Sequence, residues 1–302
     1  MRDDLWLRCR ACRSVYRDIA PDKFAQLHSD AGEDPRFCES LVETLGHQPA
    51  SQSWDHLALP GNSVLEIGPG TGHLLAAAHR AGRCVTAVEA SEMHRRFIRD
   101  TWGIGSVYGD VSELPRGLLF DAIIAINVVE HVYDIAAFFR FVAGVLAPNG
   151  VFFISTPNAA SLEATVLRAW WSMCKEIDHV SFPTPEGMAR ASQAAGLRAE
   201  RVWSSELPLE FPISILVAAR DWTQVRLRSA SAPGDAHASG SFPENGHRSS
   251  TARLARFYAL SGRFDPTSRL LASFGRAGTI KAHLRRQSDG VVQPAVEAPM
   301  TT

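Results

Sequence analysis

The 302-residue sequence predicts an α/β protein built on a doubly wound, mostly parallel sheet. From residue 63 to 203, short runs of strand-forming residues alternate with apolar residues at helical spacing, and crossover helices between successive strands make neighbours parallel. Val64-Leu65-Glu66-Ile67 runs into Gly68-Pro69-Gly70-Thr71-Gly72 and then into Leu74, Leu75 and Ala78, a strand, a glycine turn and the start of a helix. Phe120-Asp121-Ala122-Ile123-Ile124-Ala125-Ile126 is almost continuously apolar, as a central parallel strand covered on both faces must be.

Composition narrows the class. A chain with 45% hydrophobic residues can bury a full α/β core. A net charge of −1 leaves no electrostatic footprint for nucleic acid or an anionic membrane. No apolar run approaches the roughly 18 residues of a membrane span, and no signal-peptide core opens the chain. A soluble, cytoplasmic protein without stable membrane insertion is expected. Five cysteines, an odd number, suit a reducing compartment better than a disulfide framework. Oligomeric state stays open.

Residues 1–33 form an N-terminal segment carrying Cys9-Arg10-Ala11-Cys12, half of a four-ligand zinc site; two ordinary thiols in a short hairpin are the plainer expectation. The main body spans 34–228. Asp34-Pro35 is a cap and first turn for a helix through Phe37, Leu41, Val42 and Leu45. The helix after the glycine turn ends at Gly82. Cys84 to Glu89 is a second strand, its acid 21 positions after Gly68, and Ser91 caps the next helix. Gly105 to Val111 is a third strand, and the apolar run ending at Asn127 a fourth. A helix from Ile135 to Leu146 stops at Pro148-Asn149-Gly150, before a fifth strand, Val151–Thr156. Ala159 to Lys175 reads as one helix with Trp170 and Trp171 in the core, or else as a lid. Thr184 caps a helix with Pro185 in its first turn, and Leu197–Trp203 is a sixth strand. Leu209 to Leu227 is expected to be a covering helix, 229–250 a disordered loop, 251–286 helices and a last strand at Gly278–Leu284, and 287–302 a flexible tail.

The glycine turn is where chemistry concentrates. Its glycines allow a tight bend and close ligand approach, and the N–H groups opening the helix favour a negative group. The dinucleotide fingerprint G-x-G-x-x-G would place its third glycine one residue later than Gly72. A carboxylate at Glu89 suits both hydroxyls of a ribose.

Together with Gly109-Asp110, the Glu130-His131-Val132 segment, and Leu-Ala-Pro-Asn-Gly before the fifth strand, the turn E-x-G-x-G-x-G resembles that of the class I S-adenosylmethionine-dependent methyltransferases, of the small-molecule, ubiquinone-biosynthesis-like type. The resemblance spans about Ser63 to Trp203. It implies a Rossmann-like, seven-stranded sheet with the last strand antiparallel and helical lid insertions. It implies S-adenosyl-L-methionine as cofactor, with Glu66, Gly68, Gly70, Thr71 and Gly72 by the methionine moiety. Glu89 and Ala90 would lie at the ribose, Asp110 and Val111 at the adenine, and Asn127 and Val128 along the cofactor towards a small-molecule acceptor. A turn aspartate bonded to its own backbone is the plainer alternative for Asp110. Some bacterial members begin with a zinc ribbon of two C-x₂-C knuckles, and Cys9/Cys12 resembles the second of these.

A sulfonium makes methyl transfer chiefly a matter of alignment, while a neutral hydroxyl acceptor gains from a general base. Transfer to oxygen is the expected reaction. Of 11 histidines, His131 and His179 lie where the family places the acceptor mouth, and either is a candidate base, with local hydrogen bonding or capping as the alternative. No His/Asp/Glu spacing announces a metal site, and no metal is expected. Two other classes stay open. A methyltransferase-like binding subunit would keep the fold without catalysis. An NAD(P)-dependent oxidoreductase would share Glu89 but predicts the later glycine and leaves Asp110 and Glu130-His131 unexplained.

Overall fold

The structure is a computed structural model, and it describes residues 5–32, 57, 59–205, 219, 220, 223 and 276–287. Leu5–Arg8 (β1) and Val15–Asp18 (β2) pair as an antiparallel hairpin and lead into helix Pro21–Gly32 (α1). The body then alternates Ser63–Ile67 (β3), His73–Arg80 (α2), Cys84–Val88 (β4), Glu92–Trp102 (α3), Val107–Tyr108 (β5), Phe120–Ile126 (β6), Ile135–Val145 (α4) and Leu146–Pro157 (β7). Leu162–Leu167 (α5), Ser181–Phe182 (β8), Pro185–Ala194 (α6), Leu197–Ser205 (β9) and Thr279–Arg286 (β10) complete it.

The main sheet has seven strands in the order β5-β4-β3-β6-β7-β10-β9. β3 to β7 pair in parallel, and β10 runs antiparallel to both β7 and β9. This is the expected doubly wound architecture, with one reversed strand. The chain builds outward from β3 through β4 to β5, then returns to place β6 on the other side of β3. Strand order therefore reverses between β3 and β6, and the crevice beyond their carboxyl ends is where such sheets bind ligands. Val64, Leu65, Ala122, Ile123, Ile124, Ala125, Phe152 and Ile154 are sealed between helical layers, which explains why β6 reads as unbroken apolar sequence.

Three local expectations are corrected. The segment Ala159–Lys175 is not one helix: α5 stops at Leu167, and two short 3₁₀ turns follow, Arg168–Trp170 and Ser172–Lys175. Arg168 sits at φ 51°, outside helical geometry, so a continuous helix cannot pass through it. Trp171 is nonetheless core, at 2% exposure. The fifth strand begins at Leu146 rather than Val151 because Leu146 pairs with Phe120; a side chain at Gly150 would strike the Phe120 carbonyl, so the chain passes there only as glycine. The third strand shrinks to two residues.

The N-terminal segment is also less separate than its boundary at 33 suggests. β2 pairs antiparallel with β8, Val15 opposite Phe182 and Tyr16 opposite Ser181, making a second sheet of three strands. Cys9 and Cys12 lie in the tight β1–β2 turn as free thiols; hydrogen bonds from Cys12 and Ala11 hold the Cys9 thiol below its ordinary value. They belong to no group of three potential metal ligands among the described residues. The helices expected from Asp34, at Leu254–Phe274, and most of the one at Leu209–Leu227, with the loop 229–250 and the tail from 288, lie outside the described residues.

Candidate active site

The glycine turn leaves β3 and enters α2 with Gly68, Gly70 and Gly72 all at positive φ. Two of them have distinct reasons. A side chain on Gly68 would collide with Val128, so this glycine lets β3 and the loop after β6 close on each other. A side chain on Gly70 would meet nothing within 4 Å, which leaves bare backbone facing open space, as close ligand approach requires. Thr71 is buried; its carbonyl accepts the Trp102 indole N–H at 2.8 Å and ties the turn to α3.

Glu89, at the tip of β4, reaches over this turn. Its Oε2 accepts the Gly70 N–H at 2.9 Å and its Oε1 accepts the Ser91 N–H at 2.9 Å. The residue is 8% exposed. Ala90 is exposed beside it, its carbonyl taking a bond from Arg95. Asp110 uses Oδ1 to accept both the N–H and the hydroxyl of Ser112, capping the short turn that contains Val111; those bonds hold it below the usual carboxylate range. Asn127, at the end of β6, is exposed at φ 54°, a conformation uncommon outside glycine, and its N–H is anchored on the Ser155 carbonyl. Val128 follows it against Gly68.

Glu66 is 5% exposed in β3, and its Oε2 is buried with no hydrogen-bond partner. Burial, helped by the charge of Glu89 and opposed by a bond from the Leu75 N–H, pushes its carboxyl up to about 8. An orphaned acidic oxygen beneath a glycine turn carries an uncompensated burial cost, and a cationic ligand group would remove it.

Beyond β6 the two candidate histidines meet. Their ring centroids are 4.7 Å apart and the rings cross edge to face. His131 Nδ1 lies 3.0 Å from Asp178 Oδ2, with about a quarter of each side chain exposed. Burial works against charging His131, yet the bond and charge of Asp178, with the charge of Glu130, lift it above the ordinary histidine value. His179 is the opposite case: burial, and then the neighbouring His131, push it down to about 4. Its Nδ1 lies 2.9 Å from the Met173 carbonyl, which can only accept, so Nδ1 carries the proton and Nε2 is the basic atom.

Glu130 is buried behind them, accepting the Thr156 hydroxyl at 2.8 Å, and burial raises its carboxyl above the ordinary value. Glu130, His131 and His179 each offer one ligand atom within a common 4.8 Å, a grouping that sequence spacing does not announce. Asp178, in contact with His131, is the residue of this cluster that the sequence does not single out. Its one signal was its place beside His179.

The N-terminal hairpin holds this segment in place. The Arg17 side chain donates to the carbonyls of Ile177 and His179, and its N–H to that of Val180. The Val180 N–H in turn donates to the Glu130 carbonyl at 2.7 Å.

A family described as "Methyltransferase domain" matches residues 31–202, more than half of the chain. The chain belongs to the class I S-adenosylmethionine-dependent methyltransferases. The oxidoreductase reading falls with that finding. Over 151 residues the methyltransferase is 30% identical to a ubiquinone biosynthesis O-methyltransferase of Methylobacterium sp. (strain 4-46), covering 46% of this chain and 61% of that protein. The human mitochondrial protein of that name is 30% identical over 153 residues, 46% of this chain and 39% of its own. The chain thus spans less than two thirds of the length of these curated relatives. A crystal structure of an S-adenosylmethionine dependent methyltransferase from Mesorhizobium loti aligns with 80% of this chain and all of its own, at 17% identity and a TM-score of 0.47.

The residues present fit the family's cofactor, S-adenosyl-L-methionine. Glu66 offers an unsatisfied acid, Gly70 an open backbone and Glu89 a carboxylate at the next strand tip. No helix among the described residues is long and apolar enough to cross a membrane.

Proposed function

We propose that this methyltransferase transfers a methyl group to a hydroxyl oxygen of a small-molecule acceptor, with His131 as general base and Asp178 as its positioning residue. The observation that carries this reading is the His131–Asp178 pair beyond β6, which keeps about a quarter of each side chain exposed while its neighbour His179 is buried. Glu66 and the Gly68–Gly72 turn would hold the amino-acid end of the cofactor, Glu89 and Ala90 its ribose, Asp110 and Val111 its adenine, and Asn127 and Val128 the side facing the acceptor. When bound, the cofactor supplies an electrophilic methyl group on a positive sulfur.

The protein supplies alignment and a proton acceptor. Asp178, 3.0 Å from Nδ1 of His131, would favour the proton there, leaving Nε2 to take the acceptor's proton, and the same carboxylate would stabilise the imidazolium that results. His179 stays neutral at pH 7 and packs against the base without adding charge. The names of the relatives make a hydroxylated ubiquinone precursor the first acceptor to test. Formation of S-adenosylhomocysteine that depends on such an acceptor supports the reading; cofactor binding with no turnover on any hydroxylated acceptor would favour a non-catalytic binding subunit instead.

Two further results are expected. Binding of S-adenosylhomocysteine at pH 7 should release up to about one proton per site, because an α-ammonium beside Glu66 lowers a carboxyl that is largely protonated beforehand. Calorimetry in buffers of different ionisation enthalpy reads this, and the release should vanish in Glu66→Gln. Equal release in both proteins would remove Glu66 from the ligand's cation. Dialysis against a chelator should leave turnover within about twofold, since Glu130, His131 and His179 are already engaged by Thr156, Asp178 and the Met173 carbonyl. Loss of activity restored by a divalent ion would instead make the three residues a metal site.

A further inference from the structure

Arginines from three separate stretches of the chain meet at one cavity away from the glycine turn. It has a volume of about 1030 Å³, and its walls include Trp6, Arg8, Arg13, Arg168, Trp171 and Arg276. β1 and its turn bring Arg8 and Arg13, the residue after α5 brings Arg168, and the entry to β10 brings Arg276. None of the four forms an ion pair with a described carboxylate. Glu186 is on the wall, but Arg190 holds it at 2.7 Å. Glu163 is buried behind Trp171, whose indole N–H it accepts at 3.2 Å, and is not part of the wall.

All four side chains are exposed at the cavity, and their like charges act on one another. Partial burial, and then the charges of Arg13 and Arg168, hold the Arg8 guanidinium below the usual arginine value. Arg168 is fixed at φ 51° and ψ −120°, a backbone conformation that persists only where the surroundings impose it. Arg8 spends one N–H on the Arg13 carbonyl and Arg276 one on the Ala160 carbonyl. Each guanidinium has five donors, so most remain for a ligand. Converging guanidinium groups match carboxylate and phosphate oxygens in geometry as well as charge. The two indoles add an apolar, stackable wall, and the volume suits a small organic molecule.

We propose that this cavity is a binding site for a small soluble organic anion, its carboxylate or phosphate held by Arg8, Arg13, Arg168 and Arg276 and its apolar body resting on Trp6 and Trp171. The site is separate from the cofactor crevice: its wall contains no residue of the glycine turn, Glu66, Glu89 or the His131–Asp178 pair. It is close to the acceptor side of that crevice all the same. Phe182 stacks on Trp6 at 5.1 Å, packs tilted against Trp171 at 4.8 Å, and meets the His179 ring edge-on at 5.6 Å.

The test uses the full chain, 1-anilinonaphthalene-8-sulfonate as a fluorescent aromatic anion, and inorganic pyrophosphate as competitor. Saturable fluorescence should be displaced by pyrophosphate, untouched by S-adenosylhomocysteine, and weakened as salt rises from about 0.05 to 0.5 M. Affinity should fall at least about tenfold in the Arg8→Gln/Arg168→Gln double variant and stay unchanged in Arg10→Gln, an exposed arginine of the same hairpin outside the wall. Arg276→Gln, from a different stretch of the chain, carries the same expectation if the double variant does not fold. Displacement by S-adenosylhomocysteine, equal affinity in the wall variants, or failure of pyrophosphate to compete overturns the proposal. Pyrophosphate-insensitive sedimentation of the chain with vesicles of anionic phospholipid would assign the arginines to a lipid surface and overturn it too.

Discussion

Replacing His131 with alanine is expected to lower kcat by about 10²–10⁴-fold, the usual worth of a general base, with little change in cofactor affinity. His131 lies past β6 and touches Asp178 and His179, not the glycine turn, so the loss should fall on turnover. The pH profile gives a second readout. A base must be neutral to accept a proton, so kcat/KM should be flat above the raised His131 value and fall as pH drops through it. Asp178→Asn removes the charge that does the raising, while burial, which opposes it, remains. The break should therefore move to lower pH, with kcat reduced because the imidazolium loses its partner. An unmoved break in Asp178→Asn would show that another group is titrating. A fall in kcat with His179→Ala but not with His131→Ala would transfer the role to the neighbour.

The same pair affects stability with two opposite signs. Asp178 is held below the ordinary carboxylate value, so its contribution is present above the unfolded aspartate value and lost as pH falls through the folded one. His131 is raised, so its contribution is complete below the unfolded histidine value and is lost as pH rises through the folded one. The pair stabilises the fold between those limits, whereas turnover requires the upper one to be passed.

Glu89→Ala is expected to weaken binding of S-adenosylhomocysteine by about 10²-fold, roughly two acceptor bonds to a carboxylate. On the proposed assignment the side chain would do two jobs that can be separated. Its oxygens satisfy the N–H groups of Gly70 and Ser91, which ties the tip of β4 to the glycine turn. In the complex the same oxygens have lone pairs left for ribose hydroxyls. Glu89→Gln keeps one acceptor oxygen and should show an intermediate loss, with melting temperature nearer the parent than in Glu89→Ala. Calorimetry that finds unchanged affinity in both variants would end the ribose assignment, whatever their stability.

The parts of this protein that sequence alone makes legible are those whose signals are local. The strand, turn and helix around Gly68 to Gly72 declare themselves through glycine's freedom at positive φ and through burial period. Ser91 and Thr184 are read correctly as caps because a cap needs only its own next three residues: their oxygens accept from His94 and Gly187. Glu89 is placed by the near-constant length of a strand–helix–strand unit. Asp110 is less simple, since its local bonds to Ser112 are the ones any turn aspartate makes.

Where reading fails, the deciding contacts are long-range. Spacing assigns Trp171 to a helix, but the chain breaks at Arg168 and Trp171 packs on Phe182 of β8, which pairs with the N-terminal hairpin, a contact that no periodicity contains. Sequence by itself determined the doubly wound sheet, the family and the positions of the glycine turn and Glu89. Only tertiary structure decided that Asp178 lies against His131, that Arg17 fastens the His179 segment, and that Arg8 and Arg276 share a cavity. The physical reason is that periodicity reports which face of an element is buried, whereas the partner it is buried against depends on strand order and on loops whose conformation has no period.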